Sequence, residues 1–239
     1  MENLNKKAFT LAELLMVIGI IGVVSMLTLP SLNRNTNQTE NIVKLQKTYQ
    51  TLQEAYTRAS AKYGPLTTWF PSDITKEEQA AKIASRFGEF LRIERNCGLD
   101  KGCLPSTKFK DFRGNIQNYS LDDVQNPKML LYDNVALIFE TPFNQGDVSY
   151  NDEKFYGYIH VDINGTKGDA ILGENTFVLT VTEKGVRPQG THNPEDCFAS
   201  AFFCSAWVLR YNNMDYLQAD SNGLCKNGTQ LSKVMISCS

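Results

Sequence analysis

Lys6-Lys7-Ala8-Phe9-Thr10-Leu11-Ala12-Glu13-Leu14-Leu15 opens an apolar run that lasts to Leu32, and the reading of the whole chain turns on it. Glu13 is the sole charged residue between Phe9 and Leu32. A charged side chain costs roughly 2.5–3.5 kcal/mol at the centre of a bilayer-spanning helix and less near an interface, so a carboxylate retained there points to a role. A helix of about 24 residues measures roughly 36 Å at 1.5 Å per residue, long enough to cross a hydrocarbon core of about 30 Å. The run exceeds the apolar core of a secretory signal, and it ends in Leu29-Pro30-Ser31-Leu32-Asn33 rather than in a small-residue cleavage site. Lys6 and Lys7 precede it and only Arg34 follows closely, so the positive-inside rule places the N-terminus in the cytoplasm and the rest outside.

A basic pair, a small residue, Phe-Thr-Leu-x-Glu and about twenty apolar residues together resemble the processing signal of type IV pilins and of the pseudopilins of type II secretion systems. Where that family carries Gly before the cut, this chain has Ala8. The resemblance implies cleavage between Ala8 and Phe9 by a prepilin peptidase, followed by N-methylation of Phe9. It also implies that the Glu13 carboxylate pairs with the new α-amino group of Phe9 on a neighbouring subunit during assembly. The partners so implied are other pilin or pseudopilin subunits, the peptidase, an inner-membrane assembly platform and membrane lipid, in a bacterial or archaeal cell. Gly19, Gly22 and Pro30 interrupt the run, which predicts a locally weak helix between Gly22 and Pro30.

Beyond the polar residues 33–41, Ile42, Leu45, Tyr49, Leu52, Tyr56, Ala59 and Tyr63 recur at spacings of three and four, an apolar stripe on one helix face. It suits packing against a sheet better than a coiled-coil seam, which it fills only at minimum length. Joined to the apolar run it predicts one spine helix of about 53 residues and 80 Å, ended by Gly64-Pro65. Thr75-Lys76-Glu77-Glu78 reads as a capping box before a short amphipathic helix. Residues 129–132, 135–140, 156–162 and 176–182 are rich in β-branched and aromatic side chains between turn residues and read as strands that pair antiparallel. Residues 198–209 are apolar enough for core, with Trp207 as the anchor.

The expected architecture is therefore α+β and pilin-like: leader 1–8, a membrane and assembly half-helix 9–32, an amphipathic half 33–63, and an extracytoplasmic antiparallel head 64–239. This makes a single-pass inner-membrane protein that enters a filament. All six cysteines, Cys97, Cys103, Cys197, Cys204, Cys225 and Cys238, fall on the translocated side, where disulfides persist. Among the pairings open to six cysteines, the preferred one closes the local loops Cys97–Cys103, Cys197–Cys204 and Cys225–Cys238. The spacings C-x5-C and C-x6-C, remote from His160 and His192, fit no common zinc pattern.

A net charge of −2 over 239 residues, with dispersed lysines, gives no broad basic patch for nucleic acid. No serine-hydrolase elbow, zinc-protease helix or phosphate-binding loop is present, so a structural subunit is expected rather than an enzyme. The alternative is a membrane-anchored extracellular binding module or hydrolase. Asp162-Ile163-Asn164-Gly165-Thr166-Lys167-Gly168-Asp169 reads first as a hairpin turn, because Asn-Gly favours left-handed backbone. The rival reading is a calcium loop with Asp162, Asn164 and Asp169 as oxygen ligands, although Gly173 stands where a twelfth-position Glu is needed.

Overall fold

The computed structural model describes residues 11–71, 74–105, 109–117, 120–141, 149–150 and 153–238, with side chains described throughout except at 25–35 and 149–150. The elements in chain order are helix α1 (Leu11–Tyr63), α2 (Lys76–Gly88), β1 (Ile93–Gly98), β2 (Lys110–Asp111), β3 (Lys128–Leu131), β4 (Ala136–Glu140), β5 (Ser149–Tyr150), β6 (Glu153–Asp162), β7 (Ile171–Leu172), β8 (Thr176–Thr182), β9 (Gly185–Pro188), α3 (Asp196–Ala199) and α4 (Cys204–Tyr211). The chain divides into two compact units, Met1–Glu40 and Asn41–Ser239.

In the first unit the helix is unbroken at Gly19, Gly22 and Pro30, where weakening was expected. One proline forfeits one ladder bond, and the turns on either side keep theirs. The expected membrane anchor is corrected. Among the described residues no helix is long and apolar enough to cross a membrane. The single-pass inner-membrane placement, which rested on that anchor, is withdrawn with it.

The second unit is built on a nine-stranded sheet of order β1-β3-β4-β6-β8-β7-β2, with β9 also on β8 and β5 on β6. Here the expected pilin-like architecture is corrected again, in two respects. The sheet is mixed, not antiparallel, because β2 pairs with β7 and β7 with β8 in parallel. Asn175 makes the second pairing feasible across so short a connection, since its side chain accepts the Ile171 N–H at 2.7 Å and donates to the Asp169 carbonyl at 3.0 Å. Nor does one spine serve the whole fold, because only residues 41–63 of α1 belong to the sheet's unit.

Strand alternation gives the sheet two buried faces. Leu137, Phe139, Ile159, Val161, Leu179 and Val181 meet Leu45, Leu52, Tyr56 and Ala59 of α1 and Ile83 and Phe87 of α2. Ala136, Ile138 and Val178 point the other way, into a smaller cluster with Leu104, Phe109, Leu121 and Ala201. α2 begins at the Thr75 capping box, in which the Thr75 hydroxyl accepts from the Glu78 amide at 3.2 Å and the Glu78 carboxylate from the Thr75 amide at 2.9 Å. Residues 196–211 form α3, a short 3-10 turn and α4, with Trp207 fully buried. The disulfides are the three local ones, Cys97–Cys103, Cys197–Cys204 and Cys225–Cys238, and they suit an oxidising compartment.

Helix α1 is fastened to the sheet by polar side chains as well as apolar ones. Gln53 acts as a surrogate strand for β9: its Nε2 donates to the Val186 carbonyl at 2.8 Å and its Oε1 accepts the Val186 N–H at 3.1 Å. One turn on, the Tyr56 hydroxyl donates to the Glu183 carbonyl at 2.6 Å. Removing a partner from a part-buried backbone group costs about 1–3 kcal/mol. Gln53→Ala is therefore expected to lower the urea unfolding free energy by about that amount, while Gln50→Ala, on the exposed side of the same helix, stays within about 0.5 kcal/mol of the parent. Equal losses in the two variants would remove Gln53 from this role.

Candidate functional site

The residues marked by the sequence do not converge. Ala8 and Phe9 lie outside the described residues. Glu13 stands near the start of the described part of α1, within an otherwise apolar surface. The six cysteines are all paired and hold loops rather than a reactive centre.

The Asp162–Asp169 segment is not a two-residue hairpin. After β6 the chain makes a longer loop and returns through β7, and the candidate ligands are spent separately. Asp162 is buried, and its Oδ1 accepts the Asn164 N–H at 3.0 Å. The Asn164 carbonyl accepts the Asn134 side-chain amide at 2.5 Å, and the Asp169 carboxylate lies 3.5 Å from the Lys110 ammonium. Gly165, at φ +56°, brings its backbone so close to the β3–β4 turn that a Cβ would sit 2.0 Å from the Asn134 carbonyl oxygen. The loop is thus a clasp between two turns. Among the described residues no group of three or more His, Cys, Asp or Glu side chains could hold a metal ion.

His160, read from its alternation as a sheet-face residue, is buried and has Nε2 2.7 Å from the Glu140 carboxylate, its cross-strand diagonal neighbour. Two histidines and many carboxylates give no sequence signal for that pair, since it arises from β4–β6 register alone.

A concave site that no motif announced lies on the outer side of β6, β8 and β9. Tyr158, Thr180 and Arg187 are register partners in a row across the three strands. A bulge in β6 between Phe155 and Gly157 turns Tyr156 inward, where it stacks on Phe70 at 5.6 Å, and leaves Phe155 and Tyr158 together on the outer face with ring centroids 4.5 Å apart. Gln79 of α2 caps the bulge by donating to the Tyr156 carbonyl at 2.6 Å. With Glu153 and the loop from Pro188 to His192 these residues enclose a cavity of about 270 Å³. No protein-family model, no curated protein and no solved structure matches the chain.

Burial pushes the Asp162 carboxyl up to about 7, against the lowering effect of the Asn164 and Gly165 amides. A raised acid holds its proton in the folded state while the unfolded chain has released it. Stability is therefore greatest below the ordinary pKa near 3.8 and declines as pH rises toward 7, by at most about 4 kcal/mol for this group. Asp162→Asn keeps an oxygen acceptor for the Asn164 N–H and removes the charge. It is expected to flatten the fall in unfolding free energy between pH 4 and 7 and to exceed the parent in stability at pH 7.5. A variant with the parent's pH profile would show that Asp162 ionises freely in the fold.

Proposed function

We propose that the chain is a structural subunit of a type IV pilus or pseudopilus filament, processed between Ala8 and Phe9 and assembled through the N-terminal part of α1. One observation carries this reading: every large apolar side chain from Leu11 to Val24 is more than half exposed, on all sides of the helix. A helix that is apolar all round is stable only when covered. Further copies of the same helix provide that cover, as in a filament core, and α1 has no polar stripe in this stretch that a single sheet or partner face would leave toward water.

Within such a core Glu13 sets the register. A carboxylate in an apolar interface is costly unless it meets a positive group, and cleavage before Phe9 creates one, the α-amino group of the next subunit. A subunit docked out of register leaves one charge unpaired. The chain is then the substrate of a prepilin peptidase and the cargo of an assembly motor, and the sheet unit is what the filament presents.

The test is the N-terminal mass of the full chain co-expressed with a prepilin peptidase, followed by shearing and sedimentation of filaments. The expected product starts at N-methyl-Phe9, and Glu13→Ala is expected to be cleaved normally but to lose filaments at least about tenfold. Retention of residues 1–8 beside a control prepilin that is cut in the same cells, or normal filaments from Glu13→Ala, would overturn the reading.

A further inference from the structure

We propose that the cavity on the outer face of β6, β8 and β9 is a binding site for a neutral saccharide, with its ring seated on Phe155 and Tyr158 and its hydroxyls between Glu153, Arg187 and Gln189. The site lies wholly in the sheet's unit and does not rest on the filament reading.

Three features of the cavity choose the ligand. Its floor is aromatic: the β6 bulge brings Phe155 and Tyr158 to one face, their ring planes inclined at 55° and Phe155 largely buried, and this angled apolar floor takes the apolar side of a ring. Its walls are polar and carry both kinds of hydrogen-bonding group. The Glu153 carboxylate accepts from Arg187 at 3.4 Å and lies 3.6 Å from the Lys184 ammonium. The Gln189 Oε1 accepts from the Thr180 hydroxyl at 2.6 Å, so the orientation of the amide is fixed with its N–H donors to spare. Burial alone would raise the Glu153 carboxyl, but hydrogen bonding to Thr182 and Arg187 and the charges of Arg187 and Lys184 hold it below its ordinary value, so it is an anion and an acceptor. Burial raises the Tyr158 hydroxyl, which keeps its proton and remains a donor.

A purely apolar ligand would leave the spare Gln189 N–H donors desolvated without a partner. An anion would have to compete with the Glu153 carboxylate, which already engages Arg187 and Lys184. A neutral ring with one apolar face and a rim of hydroxyls satisfies both floor and walls. At about 270 Å³ the cavity is just below the roughly 300–1,000 Å³ of typical ligand pockets, which suits one or two rings rather than a long chain.

The wall is also rigid before any ligand arrives. Gly190, at φ +87°, presses the loop so closely on the 3-10 turn that a Cβ there would stand 2.2 Å from the Phe203 carbonyl oxygen. The Gln189 N–H donates to the Val178 carbonyl at 3.1 Å, and the Gln189 carbonyl accepts from Ala206 at 3.0 Å. Both bonds fix Gln189 over β8. Pre-set donors and acceptors cut the ordering cost of binding.

The experiment is saturation-transfer NMR and titration of the full chain with methyl β-glucoside, methyl β-galactoside, methyl α-mannoside, N-acetylglucosamine and N-acetylgalactosamine, with glycerol, inorganic phosphate and indole as comparison ligands. At least one saccharide is expected to bind about tenfold or more above glycerol, and Tyr158→Ala and Gln189→Ala are each expected to weaken it by about tenfold. Lys226→Ala, at an exposed position remote from the cavity, is expected to bind as the parent does. Thermal melting of each variant separates lost binding from lost fold, and Tyr158→Phe, which keeps the ring, is expected to retain most of the affinity if Tyr158→Ala melts early. Saccharides no better than glycerol, binding of phosphate or indole alone, or undiminished binding in a folded Tyr158→Ala would each overturn the proposal.

Discussion

The paired hydrogen bonds between the Gln53 side-chain amide and the Val186 backbone constrain more of this molecule than their number suggests. β9 is an edge strand of four residues, and an edge presents unpaired N–H and C=O groups that must find partners when part-buried. Gln53 supplies both at one residue, so the axial position of α1 and the position of β9 are fixed against each other. Tyr56 repeats the tie at Glu183, in the turn between β8 and β9. Once Val186 is held inward, the alternation of the strand sends Arg187 outward. The helix on one face of the sheet thereby helps to place a wall of the cavity on the other.

The β6 bulge extends the same coupling. In a regular strand Phe155 and Tyr158, three residues apart, would point to opposite faces. With the bulge, Tyr156 and Gly157 both turn toward α2, and a Cβ on Gly157 would meet the Glu140 carbonyl oxygen at 2.9 Å and Ile83 at 3.3 Å. The glycine is therefore needed where helix and strand close up, and Gln79 satisfies the carbonyl that the bulge takes from the ladder. Packing on the inner face sets the aromatic floor on the outer one.

These features also mark where sequence reading stops. Residues 129–132, 135–140, 156–162 and 176–182 announced themselves by composition, as did the stripe from Ile42 to Tyr63, because long periodic segments carry a strong signal. The capping box at Thr75 and the local disulfide pairs were legible for a similar reason, since both join residues close in sequence. β2 and β7 are two residues each and leave no periodicity, so their parallel pairing, and with it the mixed sheet, had no trace in the pattern. The cavity was invisible for a different reason. Tyr158, Thr180 and Arg187 become neighbours through register across three strands, a relation that no local window contains.

Charge and exposure pull the N-terminal half of α1 and the Asp162 loop in opposite directions, and each shows what a pattern can and cannot specify. The run from Leu11 to Val24 states that its surface must be covered, yet an apolar helix is equally apolar to lipid, to a sheet or to another helix. In the proposed filament Glu13 distinguishes these covers, because a carboxylate in an apolar core demands a partner of defined charge at a defined depth. Asp162 has the same chemistry and the reverse outcome. Burial raises its carboxyl and the Asn164 and Gly165 amides only partly oppose that rise, so the fold favours the neutral acid there. What a carboxylate does in this chain is decided by whether the fold brings a positive charge to it, and that depends on contacts far apart in sequence, or on a second chain.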